Sequence, residues 1–339
     1  IPYQATTQPS IIDTVIDQLH APGYNQQLEA IGILAAVGDT QAIELLIESL
    51  QDDHFRVRES AAGVLGELRA QQAVTALIKR FQDENENKNV RVSAISAVGQ
   101  IGSNQAVEAL IETLHDHDTW IRLQVVGALG QIGDSRAVEP LIALLKDQDN
   151  SVRWVTARVL GDFRDKRAIP ALIETLQDRD WNVRRESVWA LRNLKDEQAV
   201  EPLLNVIRDK TWEPRMEATR AISELGDERV IEPLLVLSQD EHQGVRMSAA
   251  WILGRLGDQR AFPALIELLK HENDSHQRYV IKESLSLLGA RVGIEPLLAT
   301  LTYDDEKVRE GGMTALGLLR DKRALEPLLR SLQDDMTLR

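Results

Sequence analysis

The sequence predicts an all-α solenoid, or superhelix, of about ten stacked two-helix repeats, and three observations carry this prediction. An arginine recurs at a nearly constant interval along most of the 339-residue chain. Each interval contains two stretches with the apolar spacing of amphipathic helices. No stretch shows the strict alternation of apolar and polar residues that is typical of β-strands.

The recurring arginine sets a period of about 31 residues. Successive copies are separated by 33, 31, 31, 31, 31, 31, 32 and 31 residues. Two polar insertions, at 83–89 and 271–276, coincide with the longer intervals and are expected to be loops. An earlier copy carries Gln27 in place of the arginine. The copies are Arg58, Arg91, Arg122, Arg153, Arg184, Arg215, Arg246, Arg278 and Arg309.

Each repeat contains a first helix, exemplified by "RAVEPLIALL" (136–145), and a second helix, exemplified by "VRWVTARVLGDF" (152–163). Both have apolar residues at i, i+3, i+4 and i+7. A proline recurs near the start of the first helix, where its missing N–H costs little. These prolines are Pro140, Pro170, Pro202, Pro233, Pro263, Pro296 and Pro327. Gly-Asp pairs supply a helix stop followed by an N-cap; they are Gly38-Asp39, Gly133-Asp134, Gly226-Asp227 and Gly257-Asp258.

Residues 133–160 nearly spell out the pattern "G-D-x-R-A-V-x-P-L-I-x-x-L-x-D-x-D-x-x-V-R-x-x-A-A-x-A-L". In this the chain resembles the HEAT-like repeat proteins of the phycobilisome-lyase type, over almost its whole length. The resemblance implies stacked antiparallel helix pairs whose second helices line a concave side.

We expect one solenoid over residues 1–339, with a capping repeat at 1–40, regular repeats at 41–320 and a C-terminal helix with the start of an incomplete repeat at 321–339. The last residues, "LQDDMTLR" (332–339), match "TYDDEKVR" (302–309). The sequence therefore stops where another second helix should begin. We expect either that the parent chain continues or that the last helix lacks its cap.

A helical wheel separates a core face from an outward face of the second helix. Counting from the recurring arginine, positions −1, +3, +6, +7 and +10 form the core side, and +1, +5 and +8 lie opposite. Polar residues are expected on the outward side, yet the middle of the chain places aromatic residues, methionine and arginine there. Such residues are typical of protein interfaces. The candidate binding residues are Trp154, Arg158, Arg185, Trp189, Arg192, Met216, Arg220, Met247, Trp251 and Tyr279.

The alternative for these residues is ordinary packing against neighbouring second helices. Arginines would then be buried without an evident carboxylate, which favours an interface. A second aromatic set, Phe55, Trp120, Trp181 and Trp212, is expected in the turn between the helices, as hydrophobic staples or as part of an interface. The recurring arginine itself is expected to form an inter-repeat ladder of Arg–Asp hydrogen bonds.

Composition argues against several functions. The formal charge of −14 and pI of about 5.1 oppose binding to nucleic acid or anionic membranes. The chain has no cysteine and no apolar run of transmembrane length, and we expect a soluble, cytoplasmic protein. His115 and His117 lie in an acidic loop without a third ligand, and the single His271-Glu272 pair argues against a HEAT-like di-iron hydroxylase. We therefore expect no metal and no cofactor.

Two functional hypotheses follow. The first is a non-catalytic scaffold or adaptor that grips a protein partner, such as a phycobiliprotein or a second HEAT-like subunit, in its concave groove. The second, implied by the resemblance, is a bilin lyase or lyase subunit of the E/F type. In that case the indoles would stack on an open-chain tetrapyrrole and the arginines would pair with its propionates, holding the pigment for transfer to a phycobiliprotein cysteine. No catalytic motif supports an enzyme, and the scaffold is favoured.

Overall fold

The computed structural model describes the backbone of residues 11–225 and 228–337 and the side chains of residues 14–224 and 229–333. Within these ranges the chain folds into 21 α-helices joined by short turns, with no β-strand. First and second helices alternate through ten repeats, and one further helix follows. The predicted all-α fold of about ten two-helix repeats is confirmed.

The chain divides into two compact units, Ile1–Thr175 and Leu176–Arg339. Within the described residues the first unit contains eleven helices. They are α1 (Ile11–Leu19), α2 (Tyr24–Val37), α3 (Thr40–Ser49), α4 (Phe55–Glu67), α5 (Val74–Gln82), α6 (Lys88–Ile101), α7 (Val107–Thr113), α8 (Thr119–Ile132), α9 (Val138–Leu144), α10 (Asn150–Phe163) and α11 (Ile169–Thr175).

The second unit contains ten helices within the described residues. They are α12 (Trp181–Leu194), α13 (Val200–Val206), α14 (Trp212–Leu225), α15 (Ile231–Leu237), α16 (Gln243–Leu256), α17 (Ala261–His271), α18 (Ser275–Val292), α19 (Glu295–Thr300), α20 (Glu306–Leu319) and α21 (Leu325–Thr337). In each unit the second helices pack side by side as one layer. The first helices pack against one face of that layer. The second helices therefore decide which side chains the layer presents.

Helix ends follow the punctuation that the sequence predicts. Gly38 ends α2 in the left-handed conformation, with φ of 62°, and Asp39 caps α3 by accepting a backbone N–H bond at 2.8 Å. Gly133-Asp134 and Gly257-Asp258 behave in the same way, whereas Gly226-Asp227 lies outside the described residues. Four other turns place a residue with a side chain in the left-handed conformation: Arg69, Arg164, Lys195 and Arg320.

The predicted core register of the second helix is confirmed in α12. Val183, Ser187, Ala190 and Leu191 are fully buried, and Leu194 is nearly so. Because one helix pair cannot enclose this apolar side alone, burial depends on the neighbouring repeats.

The recurring arginine is a structural residue. In α12, Arg184 donates to the backbone oxygen of Asp178 at 2.8 Å and, from Nε and Nη2, to the carboxylate of Asp209 at 2.5 and 2.7 Å. It therefore ties its own turn to the next repeat with charge-assisted bonds. Equivalent pairs are Arg91–Asp116, Arg122–Asp147 and Arg215–Asp240, with glutamate as the acceptor in Arg58–Glu86 and Arg246–Glu272. The predicted Arg–Asp ladder is confirmed for Arg91, Arg122, Arg184 and Arg215, and at Arg58 and Arg246 a glutamate takes the place of the aspartate.

The last described helix, α21, runs from Leu325 to Thr337, and the start of an incomplete repeat at 321–339 stays a prediction. One local expectation differs from the structure. The second aromatic set is expected between helices, but Phe55, Trp181 and Trp212 are the first residues of α4, α12 and α14, and Trp120 is the second residue of α8. These rings belong to the first helical turn, so they do not occupy the pre-cap position of a hydrophobic staple.

Candidate functional site

The structure divides the predicted binding residues between the two units. Trp154 and Arg158 lie on α10 of the first unit, where Trp154 is half-buried and Arg158 is exposed. The other eight lie on α12, α14, α16 and α18 of the second unit. The positions +1, +5 and +8 of these four helices are called here the outward face of the second unit.

Every predicted residue on the outward face is at least partly accessible. Arg220, Trp251 and Tyr279 are exposed, and Trp251 and Tyr279 keep 41% and 46% of their surface in contact with solvent. Arg185, Trp189, Arg192, Met216 and Met247 are half-buried. The face therefore presents aromatic rings, thioethers and guanidinium groups together, and none of these eight side chains belongs to the core.

Two buried glutamates lie beside the arginines of this face. Glu186 accepts from Arg185 Nη2 at 2.6 Å, and Glu217 accepts from Arg192 Nη1 at 2.5 Å. Both glutamates are less than one tenth exposed. The expectation that these arginines lack an evident carboxylate is therefore wrong. Because buried carboxylates need a paired cation, Arg185 and Arg192 also have a structural role.

The sequence carries a signal for these glutamates that a search for exposed residues misses. Both stand two positions after a recurring arginine, Arg184 or Arg215. The other repeats that carry the recurring arginine have Ser, Gln, Val or Gly at that position, and the repeat of Gln27 has Glu29. In the same way, position +8 is small in the other repeats, at glycine, serine or alanine, and only the repeat of Arg184 carries an arginine there, Arg192. The unusual residues at the two positions form one ion pair between α12 and α14.

Arg220 is the more accessible cation of this cluster. Its Nη1 lies 3.9 Å from Glu217, beyond hydrogen-bond distance, and its side chain is 51% exposed. Arg192, which holds the short bond to Glu217, is only 20% exposed. Glu224, also 3.9 Å from Arg192, adds a second carboxylate on the solvent side. An incoming anionic group can therefore approach Arg220 more readily than Arg192.

Trp251 makes a cation–π contact with an arginine of its own helix. The guanidinium of Arg255, one turn further along α16, lies 4.6 Å from the centre of the Trp251 ring. Such a cation–π contact contributes about 0.5–1 kcal/mol at an exposed site. Arg255 also lines, with Arg291, a groove of about 230 Å³ at the ends of α16 and α18. Trp251 is thus an exposed aromatic ring that contacts a guanidinium group.

The second aromatic set mostly contacts cap residues and cations. Trp212 stacks on His242, the cap of α16, with ring centres 4.0 Å apart. Trp181 lies under the guanidinium of Arg185 at 5.3 Å, whereas Trp120 is half exposed. These contacts favour a structural role for Trp181 and Trp212.

A second ladder of ion pairs, which sequence reasoning missed, follows the exposed starts of the first helices. Arg136 bonds both Asp134 in its own turn and Glu108 one repeat earlier, each at 2.8 Å. The hydrogen bonds from Arg136 hold the pKa of Asp134 below its ordinary value. Other inter-repeat pairs are Arg167–Glu139, Arg229–Glu201, Arg260–Glu232 and Arg323–Glu295. The regular spacing of 28 residues between partners is the signal in the sequence.

The described residues contain no group of three or more His, Asp or Glu side chains arranged to hold a metal ion. His115 and His117 are exposed in their turn, as expected. Within the same part of the chain, no helix combines the length and apolar character needed to cross a bilayer.

Comparison with known families identifies the repeat. The profile of HEAT repeats matches residues 12–88, 83–153, 138–221 and 200–286. The chain belongs to the HEAT-repeat family. A second profile, the PBS lyase HEAT-like repeat, matches residues 308–334. No curated protein sequence matches the chain significantly.

Solved structures share the fold of this HEAT-repeat chain. Yeast importin-beta, Kap95p, is 15% identical over 95% of the chain and 53% of its own length, with a TM-score of 0.65. A structure of Kap95p with RanGDP gives a TM-score of 0.67 at 15% identity, covering 93% of the chain and 50% of the other. The Escherichia coli protein YibA is 22% identical over 84% of the chain and 99% of its own, with a TM-score of 0.54.

The chain thus spans about half the length of the importin-beta structures that it matches. At these identities the likeness concerns the fold alone. The repeats nevertheless make the chain a scaffold of a kind suited to binding proteins, because a layer of parallel second helices offers an extended surface.

Proposed function

We propose that this HEAT-repeat protein is a non-catalytic scaffold that binds a protein partner through the outward face of its second unit. The exposed pair Trp251 and Tyr279 carries the proposal. More than two fifths of the surface of each of these large aromatic side chains is exposed to water. A partner that covers them removes this apolar surface from water, which stabilises the complex. Met216 and Met247, at the same position +1 as Tyr279, add adaptable apolar surface.

The charged residues near this face favour specific binding over non-specific hydrophobic association. Arg220 and Glu224 place exposed charge of both signs on α14, the helix that packs beside the one that carries Trp251. An apolar centre with a charged rim is the usual anatomy of a protein interface. The partner in the complexes of Kap95p with RanGDP and with Nup1 is in each case another protein, which is consistent with this use of the fold.

The test is affinity capture from a lysate of the source cells with the Trp251→Ala, Tyr279→Ala double variant. Tyr303→Ala is the matched control, because Tyr303 is also an exposed aromatic residue but lies in the turn before α20. We expect at least one protein to be captured by the wild type and by Tyr303→Ala and lost from the double variant. An identical set of captured proteins for all three would overturn the proposal, provided that circular dichroism shows equal helicity.

The second candidate is a bilin lyase subunit, and the match of residues 308–334 to the PBS lyase HEAT-like repeat favours it. The face also interleaves Trp189 with Arg185 on α12, as a tetrapyrrole with two propionates would require. The bond of Arg185 to Glu186 counts against it, because a propionate would have to compete with a buried carboxylate.

Titration with phycocyanobilin, an open-chain tetrapyrrole, separates the two candidates. A saturable change in the visible absorbance of the bilin that is lost in the Arg185→Ala, Trp189→Ala variant would favour the lyase. Absence of binding, with normal helicity, would leave the scaffold.

A further inference from the structure

One register of the outward face forms a row across four neighbouring helices. Position +5 is Trp189 in α12, Arg220 in α14, Trp251 in α16 and Glu283 in α18. These second helices pack side by side in that order. Trp189 is half-buried and the other three are exposed, so the row can be contacted from solvent along its length.

The row differs from the same register in the first unit. There the residues are Gly32, Gly63, Ser96 and Gly127, followed by Arg158. A methyl group added at Gly63 or Gly127 would meet nothing within 4 Å. Position +5 is therefore not dictated by packing within a unit, and the side chains that fill it in the second unit need another reason.

The order of chemical types in the row is indole, guanidinium, indole, carboxylate. Arg220 lies 3.9 Å from Glu217, whose short bond goes to Arg192. The guanidinium of Arg220 therefore keeps donors for a carboxylate of a partner, and a charge-assisted bond there is the complementary contact. The indole rings on either side suit apolar side chains, and Glu283 suits a cation.

The distance between helices indicates the conformation of the partner. Packed helices lie about 8–10 Å apart. A chain in the extended polyproline II conformation has three residues per turn and advances about 3.1 Å per residue, so every third side chain points the same way and three residues span about 9 Å. A helix advances about 1.5 Å per residue and would need about seven residues for the same distance. A polyproline II segment that crosses the four helices would thus place every third side chain on the row, whereas a β-strand, whose side chains alternate between two faces, would not.

We propose, on the basis of the function proposed above, that the row Trp189, Arg220, Trp251 and Glu283 binds a segment of the protein partner in the extended polyproline II conformation. That segment carries an apolar residue, a carboxylate, an apolar residue and a cation at three-residue steps. Charge complementarity at Arg220 and Glu283 sets its register, and the two tryptophans supply most of the buried apolar area.

The probe is a fluorescein-labelled peptide of about ten residues with Leu, Glu, Leu and Lys at three-residue steps and Pro or Ser between them, which favours the polyproline II conformation. It is tested in both chain directions against a scrambled peptide of the same composition. Fluorescence anisotropy should show one direction binding at least about tenfold more tightly than the scrambled peptide, which corresponds to about 1.4 kcal/mol. A third peptide, helical and with the same residues at about seven-residue steps, tests the alternative conformation.

A charge exchange tests the role of Arg220. The Arg220→Glu variant should lose at least about tenfold in affinity for the designed peptide and regain it when the Glu of the peptide is replaced by Lys. Arg208→Glu is the matched control, because Arg208 is an exposed arginine between α13 and α14, away from the row. It should change neither affinity.

Three results would overturn the inference: scrambled and designed peptides that bind equally, tighter binding of the helical peptide, or no recovery on charge exchange. These results are separable from failure of the proposed function. If capture of the partner depends on Trp251 and Tyr279 while the designed peptides do not bind, the face binds a protein, but the row does not bind the proposed segment. If capture is also independent of these residues, both proposals are wrong.

Discussion

At the scale of single residues, the ladder of recurring arginines buries charged groups between neighbouring repeats. Arg184 and Asp209 are each less than one tenth exposed, so each depends on the other for neutralisation. The pair also joins adjacent repeats. A change at either residue therefore affects both the charge balance and the repeat interface.

Replacing Arg184 with alanine should destabilise the protein by about 3–5 kcal/mol, because Asp209 would remain buried without its cation. Urea unfolding followed by circular dichroism measures this change. Arg208→Ala removes an exposed arginine and should stay within about 0.5 kcal/mol of the wild type. Equal midpoints for the two variants would contradict a structural role for the ladder.

The same pair predicts a dependence on pH. Burial raises the pKa of Asp209, but hydrogen bonds from Arg184 and Thr211 outweigh it and hold the pKa below its ordinary value. A carboxyl group with a lowered pKa in the folded state contributes stability above its unfolded pKa of about 3.9, and this contribution is lost as the pH falls through the folded value.

Stability should therefore fall more steeply on acidification in the wild type than in Asp209→Asn. Denaturant midpoints between about pH 6 and pH 3 measure the difference between the two proteins. The variant should be less stable at pH 6, and the gap should narrow towards low pH. A gap that is constant with pH would show that Asp209 does not titrate in this way.

At the scale of helices, the two glycines of α4, Gly63 and Gly66, have different surroundings. A Cβ atom at Gly66 would lie 2.6 Å from Gln100 Oε1 and 2.8 Å from Ala97 Cα on α6, so glycine is needed for the close approach of the two helices. At Gly63 the same atom would meet nothing within 4 Å. Glycine inside a helix costs about 0.5–1 kcal/mol relative to alanine.

Alanine at the two positions should therefore have opposite effects. Gly63→Ala should stabilise the protein by about 0.5–1 kcal/mol. Gly66→Ala should destabilise it by about 1–3 kcal/mol, because the helices must move apart. Thermal and urea unfolding of both variants test this, and a change of the same sign in both would contradict the packing described for α4 and α6.

The sequence predicts helices better than it predicts side-chain partners. Repeat length, helix order and core register follow from periodicity, and Val183 and Leu191 are buried as expected. Glu217 was missed as the partner of Arg192 because a wheel drawn for one helix does not show its neighbour. The accessibility of Trp251 could be predicted, and so could its contact with Arg255, because the two residues are four positions apart on one helix.

At the scale of the whole molecule, stability is built from contacts between neighbouring repeats. The second helices of each unit contact the next ones in sequence order. In such arrays a local defect raises the free energy of the adjoining repeats and leaves distant ones unchanged. The two units of this chain allow that expectation to be measured.

Hydrogen exchange of Gly66→Ala should show lost protection in α4 and α6 of the first unit. Amide protection in α16 and α18 of the second unit should match the wild type. Mass spectrometry of peptides from both units measures this directly. Uniform loss of protection along the chain would mean that the molecule unfolds as a single cooperative block.

Four residues other than glycine have a left-handed backbone conformation at the ends of second helices, and this has a consequence for protein engineering. Arg69, Arg164, Lys195 and Arg320 adopt the conformation that Gly38, Gly102, Gly133 and Gly257 adopt elsewhere. Each costs about 1 kcal/mol more than glycine would. Glycine substitutions at these turns, distributed over both units, offer a route to a thermostable variant whose outward face is untouched, and so to a robust carrier for designed peptide recognition.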